Sequence, residues 1–265
     1  MFRQEESPRP GSQEYNDMPD VVGYRAKFAA IVPSTNTVVE HDFNMMAPPG
    51  VSIHAGRFMI DRPALSSDEE FLDLINQVLT NVGDAVASVK TCKPDYYVMG
   101  MSAGTFWNGI AGNKDFEARI DGYTGGVGCS TGATACREVL NRYGVKKISV
   151  LTPYQPVADR EVANYFTESG FDVVKSRGLK CPSATAIAEV TENELIDVLN
   201  DMNVDDCEAI VQCGTNLSMV RLAAEAEKFF RKPVIAINTA TLWHALRTCG
   251  IADQVRGFGS VMSDF

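Results

Sequence analysis

Short apolar runs of strand length alternate with longer helical patterns along almost the whole chain, and this order leaves few folds open. The apolar runs fall at 28–32, 51–55, 96–99, 148–151, 172–175, 209–212 and 234–237. Helical patterns lie between and after them, at 67–89, 131–142, 158–169, 192–200, 217–230 and 241–248. Strands that alternate with helices of this length predict βαβ units and parallel sheets. Gly144 and Gly250 follow helical runs and read as their C-terminal stops.

The order also repeats. Ala30-Ile-Val-Pro-Ser-Thr-Asn-Thr37 resembles Val150-Leu-Thr-Pro-Tyr-Gln-Pro156, which sets Pro33 opposite Pro153. Asp95-Tyr-Tyr-Val-Met-Gly-Met-Ser-Ala-Gly104 parallels Ala209-Ile-Val-Gln-Cys-Gly-Thr-Asn-Leu-Ser218. Ser130 and Thr131 open a helix that stops at Gly144, as Asn238 and Thr239 open one that stops at Gly250. All three pairs keep the same order and a separation of about 110–120 residues. The chain therefore reads as two pseudo-equivalent α/β halves, 23–143 and 144–265, with the C-terminal helix free to pack back on the first. A polar, Pro- and Gly-rich tail over 1–22 precedes them.

The 265 residues suit two units of roughly 100–150 each. A net charge of −10 argues against nucleic acid or an anionic membrane as partner, since both call for a basic surface. No apolar stretch reaches the roughly 18 residues of a membrane span. The tail has no apolar core of a secretory signal. Seven cysteines are an odd number without metal-type spacing, which reads as free thiols in a reducing compartment. The expectation is a cytoplasmic protein without metal or cofactor. Gly122 to Gly128 is glycine-rich but lacks the spacing of a dinucleotide fingerprint.

Cys213 stands where an apolar run gives way to small and polar residues. In an open α/β sheet, ligands bind at that carboxyl end of a strand. The N–H groups of Gly214 and Thr215 beside it are candidate anion donors. The parallel segment of the first half carries Gly100-Met101-Ser102 there, and no thiol. The other six cysteines read as packing residues or bystanders, and His244, between Leu242 and Leu246, as structural. Phe106 and Trp107 suit a pocket wall and plain core equally.

Asn36 within Pro33-Ser-Thr-Asn-Thr37 resembles the first-strand loop of the maleate cis-trans isomerases. Met99-Gly-Met-Ser102 with Phe106-Trp-Asn-Gly109, then Leu151-Thr-Pro-Tyr154 and Gln212-Cys-Gly214, resembles the arylmalonate decarboxylases. Both belong to the aspartate/glutamate racemase superfamily of cofactor-independent enzymes, and the likeness spans about 25–265. It implies two flavodoxin-like subdomains with parallel sheets and an active site in the cleft between them. It also implies a small dicarboxylate as substrate and a homo-oligomer.

The resemblance gives Ser102, Tyr154 and the N–H groups of Met101, Ser102 and Gly214 the task of holding an enediolate. Asn36 and Thr37 would hold a carboxylate. Ser130 and Thr131 would offer donors at a helix N-terminus, a natural anion site. Ala184 and Ile187 match positions that line the decarboxylases' apolar pocket. Cys213 would protonate carbon, since a thiol with an ordinary pKa near 8.5 is largely protonated at neutral pH. Met101 stands where the decarboxylases carry a hydroxyl residue. A two-base racemase needs an acid/base on each face, and the isomerases carry a nucleophilic first-half cysteine that this chain lacks. One thiol on one face fits protonation after loss of CO₂ from a substituted malonate-type diacid. The alternatives are cis-trans isomerisation or racemisation of a small dicarboxylate such as maleate, or carboxylate binding without turnover.

Overall fold

The computed structural model describes residues 20–265, so most of the expected tail, up to residue 19, lies outside the described residues. In the first half, β1 (Ala26–Pro33), β2 (Val51–Phe58), β3 (Tyr96–Met99) and β4 (Cys129–Ser130) form one sheet in the order β2-β1-β3-β4. In the second, β5 (Lys147–Thr152), β6 (Asp172–Gly178), β7 (Ala209–Gln212) and β8 (Val234–Ala236) form another in the order β6-β5-β7-β8. Every pairing is parallel. This is the flavodoxin order without its fifth strand. The two sheets are topological copies, as the internal repeat predicts.

Burial explains the strand sequences. β1, β3, β5 and β7 are buried along nearly their whole length because helices cover both faces of a parallel sheet. The crossovers are helices: α1 (Val39–Met46), α2 (Asp68–Lys90), α3 (Ala103–Phe106), α4 (Gly109–Thr124) and α5 (Gly132–Tyr143) in the first half. The second half has α6 (Pro156–Glu168), α7 (Glu192–Met202), α8 (Val220–Phe230), α9 (Ile237–Thr248) and a short α10 (Ser260–Asp264). Local signals set many boundaries. Ser67 accepts the Glu70 N–H at the start of α2, Thr191 and Glu194 close a reciprocal cap on α7, and Gly144 ends α5 at φ +70°.

The halves are not independent beads. α9 leaves the second sheet and packs on β3, β4, α1 and α5 of the first, and α10 packs on α9. α6 of the second half rests on α2 and α4. α5 and α9, the equivalent last helices of the two halves, meet face to face, and Gly132 is what lets them approach. A Cβ on Gly132 would stand 2.5 Å from Ile237 Cδ1. Gly132→Val is therefore expected to lower unfolding stability by about 1–3 kcal/mol through overpacking. Urea denaturation reads that loss, and Ile237→Ala in the same background should recover part of it.

Candidate active site

In this strand order the chain reverses direction along the sheet between β1 and β3, and again between β5 and β7. Ligands bind at such switch points, beyond the carboxyl ends of the strands. Both switch points here open on one cavity of about 50 Å³. Its walls come from the loop after β1 (Pro33, Thr35, Asn36), the segment after β3 (Met101, Ser102, Ala103), the turn after β5 (Pro153, Tyr154) and the segment after β7 (Gly214, Thr215, Asn216). A cavity of this size suits a small ligand.

The polar face is built from neutral groups of both halves. The Ser102 and Tyr154 hydroxyls lie 2.5 Å apart, and the Thr215 N–H donates to Ser102 Oγ at 3.3 Å. The phenol is buried, and burial raises its pKa, with the Ser102 hydrogen bond opposing and the nearby Cys213 thiol adding to the rise. Tyr154 is thus a proton-bearing donor at neutral pH. Among the described residues, no lysine or arginine lines the cavity. Arg57 instead stands behind the first-strand loop, where it donates to the carbonyls of Pro33, Ser34 and Asn36 and pairs with Glu40.

The opposite face is aliphatic: Ile60, Leu65, Leu74 and Val78 from the first half, Ala184 and Ile187 from the second. A strap joins the two contributions. Ala64 and Ser183 form an antiparallel bridge, the Leu65 N–H donates to the Pro182 carbonyl, and the Ala184 N–H donates to the Pro63 carbonyl. Asn216 ties the strap to the polar side, since its Nδ2 donates to the Ala184 carbonyl at 2.9 Å while its Oδ1 accepts the Thr37 N–H at 2.9 Å. Nothing in the sequence reading singled out Asn216, although it directly follows Thr215 in the repeated segment.

The residues expected at the site fall into two groups. Ser102, Tyr154, Asn36, Met101, Gly214, Thr215, Ala184 and Ile187 line the cavity. Asn36 also caps α1, its Oδ1 accepting the N–H groups of Val38 and Val39, while Nδ2 reaches Thr215 Oγ1 at 3.5 Å. Met101 Sδ accepts the Gly104 N–H, in line with a residue that offers no hydroxyl. At Gly214 a Cβ would stand 2.5 Å from Pro153 Cδ, so the absence of a side chain lets the two segments meet.

Thr37, Ser130, Thr131 and Cys213 are not on the cavity wall. The backbone of Thr37 is engaged by Asn216. Ser130 Oγ pairs with His244 Nδ1 at 2.6 Å, and Thr131 both caps α5 and donates to Glu117 at 2.7 Å. Cys213 extends β7, its N–H donating to the Leu151 carbonyl, and is fully buried with its thiol against Cys136 of α5. Burial, then the neighbouring Cys136, raises its pKa well above that of an ordinary thiol, so it carries its proton. All seven cysteines are free, and no group of three or more potential metal ligands is clustered among the described residues. Nor is any described helix long and apolar enough to cross a membrane.

Comparisons with known proteins agree with this architecture. A maleate isomerase of Geobacillus stearothermophilus is 21% identical over 251 residues, covering 89% of this chain and 97% of that protein. The arylmalonate decarboxylase of Bordetella bronchiseptica is 25% identical over 171 residues, covering 63% of this chain and 70% of that protein. Among solved structures, a Nocardia farcinica maleate cis-trans isomerase mutant with a covalently bound succinylcysteine intermediate superposes with a TM-score of 0.81 at 20% identity, over 91% of this chain and 99% of that one. An arylmalonate decarboxylase superposes with a TM-score of 0.70 at 21% identity, over 89% and 98%. Relatives of both activities are enzymes of this fold, and the arylmalonate decarboxylase family model matches residues 31–262. The chain belongs to the arylmalonate decarboxylase family.

Proposed function

We propose that this protein decarboxylates a substituted malonate-type diacid without a cofactor. The observation that carries the reading is the make-up of the cavity wall, which joins neutral donors to a set of aliphatic groups. A carboxylate pressed against Ile60, Leu65, Leu74, Val78, Ala184 and Ile187 loses its hydration, and leaving as neutral CO₂ relieves that cost. As the C–C bond breaks, its electron pair moves into an enediolate on the retained carboxylate. Ser102, Tyr154 and the Thr215 N–H converge from both halves where that charge develops. Such donors, fixed in advance, stabilise a transition state far more than mobile water does.

The α-carbon then needs a proton. Cys213 is the chosen donor because its buried thiol stays protonated and lies near Tyr154. The reading requires the thiol to leave Cys136 and turn towards the cavity past Gly214, a change between staggered side-chain positions. The resulting thiolate regains its proton from water, which balances the loss of one CO₂ against the uptake of one proton.

The similarity to maleate isomerases supports a second reading, cis-trans isomerisation of a small dicarboxylate. One such relative carries a succinylcysteine intermediate. The first half offers Met101 and Ser102 to the wall where the resemblance gives the isomerases a nucleophilic cysteine, and protonation after loss of CO₂ needs only the second-half thiol, which favours the lyase.

Incubation with a panel of small diacids in D₂O, followed by NMR, tests both readings. The lyase releases CO₂ and leaves deuterium on the α-carbon, whereas fumarate formed from maleate would replace this reading with the isomerase. Binding without turnover would make the chain a carboxylate-binding protein. Cys213→Ser is expected to abolish turnover with an unchanged circular dichroism spectrum, and retained turnover removes the thiol from the mechanism. Ser102→Ala is expected to lower kcat by about 10²–10³, the usual cost of one lost oxyanion donor, with binding of the diacid little changed.

A further inference from the structure

Behind Thr215 lies a buried carboxyl group that the proposed reaction does not use. Asp42, on α1, is fully buried at 0% exposure. Its Oδ2 accepts a hydrogen bond from Asn238 Nδ2 at 2.8 Å, and the same amide nitrogen donates to the Thr215 carbonyl at 2.9 Å. Both hydrogens of the Asn238 amide are thereby spent. The remaining oxygens, Asp42 Oδ1 and Asn238 Oδ1, are each buried without a partner. Two hydrogen-bonded groups thus keep two unsatisfied acceptors, and the buried Thr239 hydroxyl next along α9 bonds to neither. A carboxylate has no hydrogen to give, whereas a carboxylic acid has one. A proton on Asp42 Oδ1 turns that mismatch into a match, because an acid and a primary amide pair edge to edge through two hydrogen bonds. Leaving both oxygens unsatisfied costs the full desolvation of each.

We propose that Asp42 is a positioning residue whose neutral, carboxylic acid form pairs with Asn238 and so holds the Thr215 N–H towards Ser102, a hold that loosens when the acid ionises. This rests on the reading of Ser102 and Thr215 as donors to the developing charge. The path is short: Asp42 to the Asn238 amide, that amide to the Thr215 carbonyl, and the Thr215 N–H to Ser102 Oγ. It also joins the halves, since Asp42 belongs to α1 and Asn238 to α9.

The charged surroundings permit the neutral form. Burial lifts the Asp42 carboxyl to about 6, against smaller opposing effects of the Asn238 hydrogen bond and of His41 on the same helix. α9 faces it with the neutral Asn238, and among the described residues His41 is the one charged group that acts on it. Since the folded-state value lies above the ordinary one for Asp, the folded chain binds this proton more tightly than the unfolded chain. The group's contribution to stability is full below about pH 4 and is lost as pH rises through about 6.

Asp42→Asn mimics the acid, because its NH₂ stands where the acidic proton was, and it cannot ionise. The experiment uses the full chain without ligand, so its outcome does not depend on what the enzyme turns over. Infrared difference spectra between wild type and Asp42→Asn across a pH series should show a protonated carboxyl band that disappears with a midpoint near 6, the subtraction removing Asp159, whose buried carboxyl is also lifted to about 6. Hydrogen exchange at the Thr215 amide, corrected for its intrinsic pH dependence, should quicken roughly tenfold through that range in the wild type. In Asp42→Asn it should stay slow and flat. Absence of the band, or a Thr215 exchange profile in Asp42→Asn that follows the wild type's, overturns the proposal. If the band and the flat profile are found but no malonate-type acid is turned over, the functional reading fails and the role of Asp42 stands.

Discussion

Ser102 and Tyr154 share a hydrogen bond although 52 residues and a change of sheet separate them, and the site exists only because that contact can form. Each hydroxyl sits just beyond a strand that starts or ends a reversal of sheet order. Two parallel sheets with the same order, β2-β1-β3-β4 and β6-β5-β7-β8, present their reversals to a common space. The polar groups there face one another instead of water, and each needs a partner. Ser102 finds Tyr154 and the Thr215 N–H, Asn216 finds Thr37 and Ala184, and Asn238 finds Thr215 and Asp42. The cleft is closed by reciprocal satisfaction of neutral groups rather than by ion pairs.

That choice of neutral groups has a chemical consequence. A lysine or arginine would hold a diacid tightly, but would stabilise the ground-state carboxylates along with the transition state. Binding both equally does not lower the barrier of the chemical step. Hydroxyls and amides discriminate better, because their hydrogen bonds strengthen as charge gathers on the oxygen they face. The aliphatic strap works in the same direction on the other carboxylate, by removing its water. Arg57, the cation that packs on the first-strand loop, is spent on carbonyls and Glu40, outside the cavity wall.

Much of the fold was legible in the sequence, because a parallel sheet covered on both faces demands apolar runs that stand out against helical periodicity. β4 escaped notice because it is only Cys129–Ser130, paired to β3 at two positions, and carries no apolar run. α1 escaped because Glu40, His41, Asp42 and Asn44 interrupt its apolar stripe, and α4 because Gly109, Gly112 and Gly122 read as loop. Gly214 and Thr215 were legible from the strand end of β7, and Asn36, Met101, Ser102 and Tyr154 from the family resemblance, whereas Asn216 was missed and Cys213, marked by the same strand end, lies off the wall. Ser130 and Thr131 show the limit of that logic. They too lie at a strand end, but β4 is the edge of the sheet and not a switch point, and their side chains turn to His244 and Glu117.

The contacts that no local pattern could reveal are those between α9 and the first half. Asn238 is read from sequence as the opening of a helix in the second repeat, and no local pattern marks Asp42. Only the crossing of α9 onto α1 and β3 brings them together behind Thr215. A repeat of two simple halves would have left each half's site open on one side. By lending α9 to the first half and α6 to the helices over it, the fold removes the freedom of the halves to part. Hydroxyls on separate subdomains can then meet at 2.5 Å, while the ion pairs that also join the halves, Arg25 with Asp253 and Arg160 with Asp68, involve no residue of the cavity wall. Preorganisation of the donors therefore comes from the exchanged helices, which lie outside the cavity altogether.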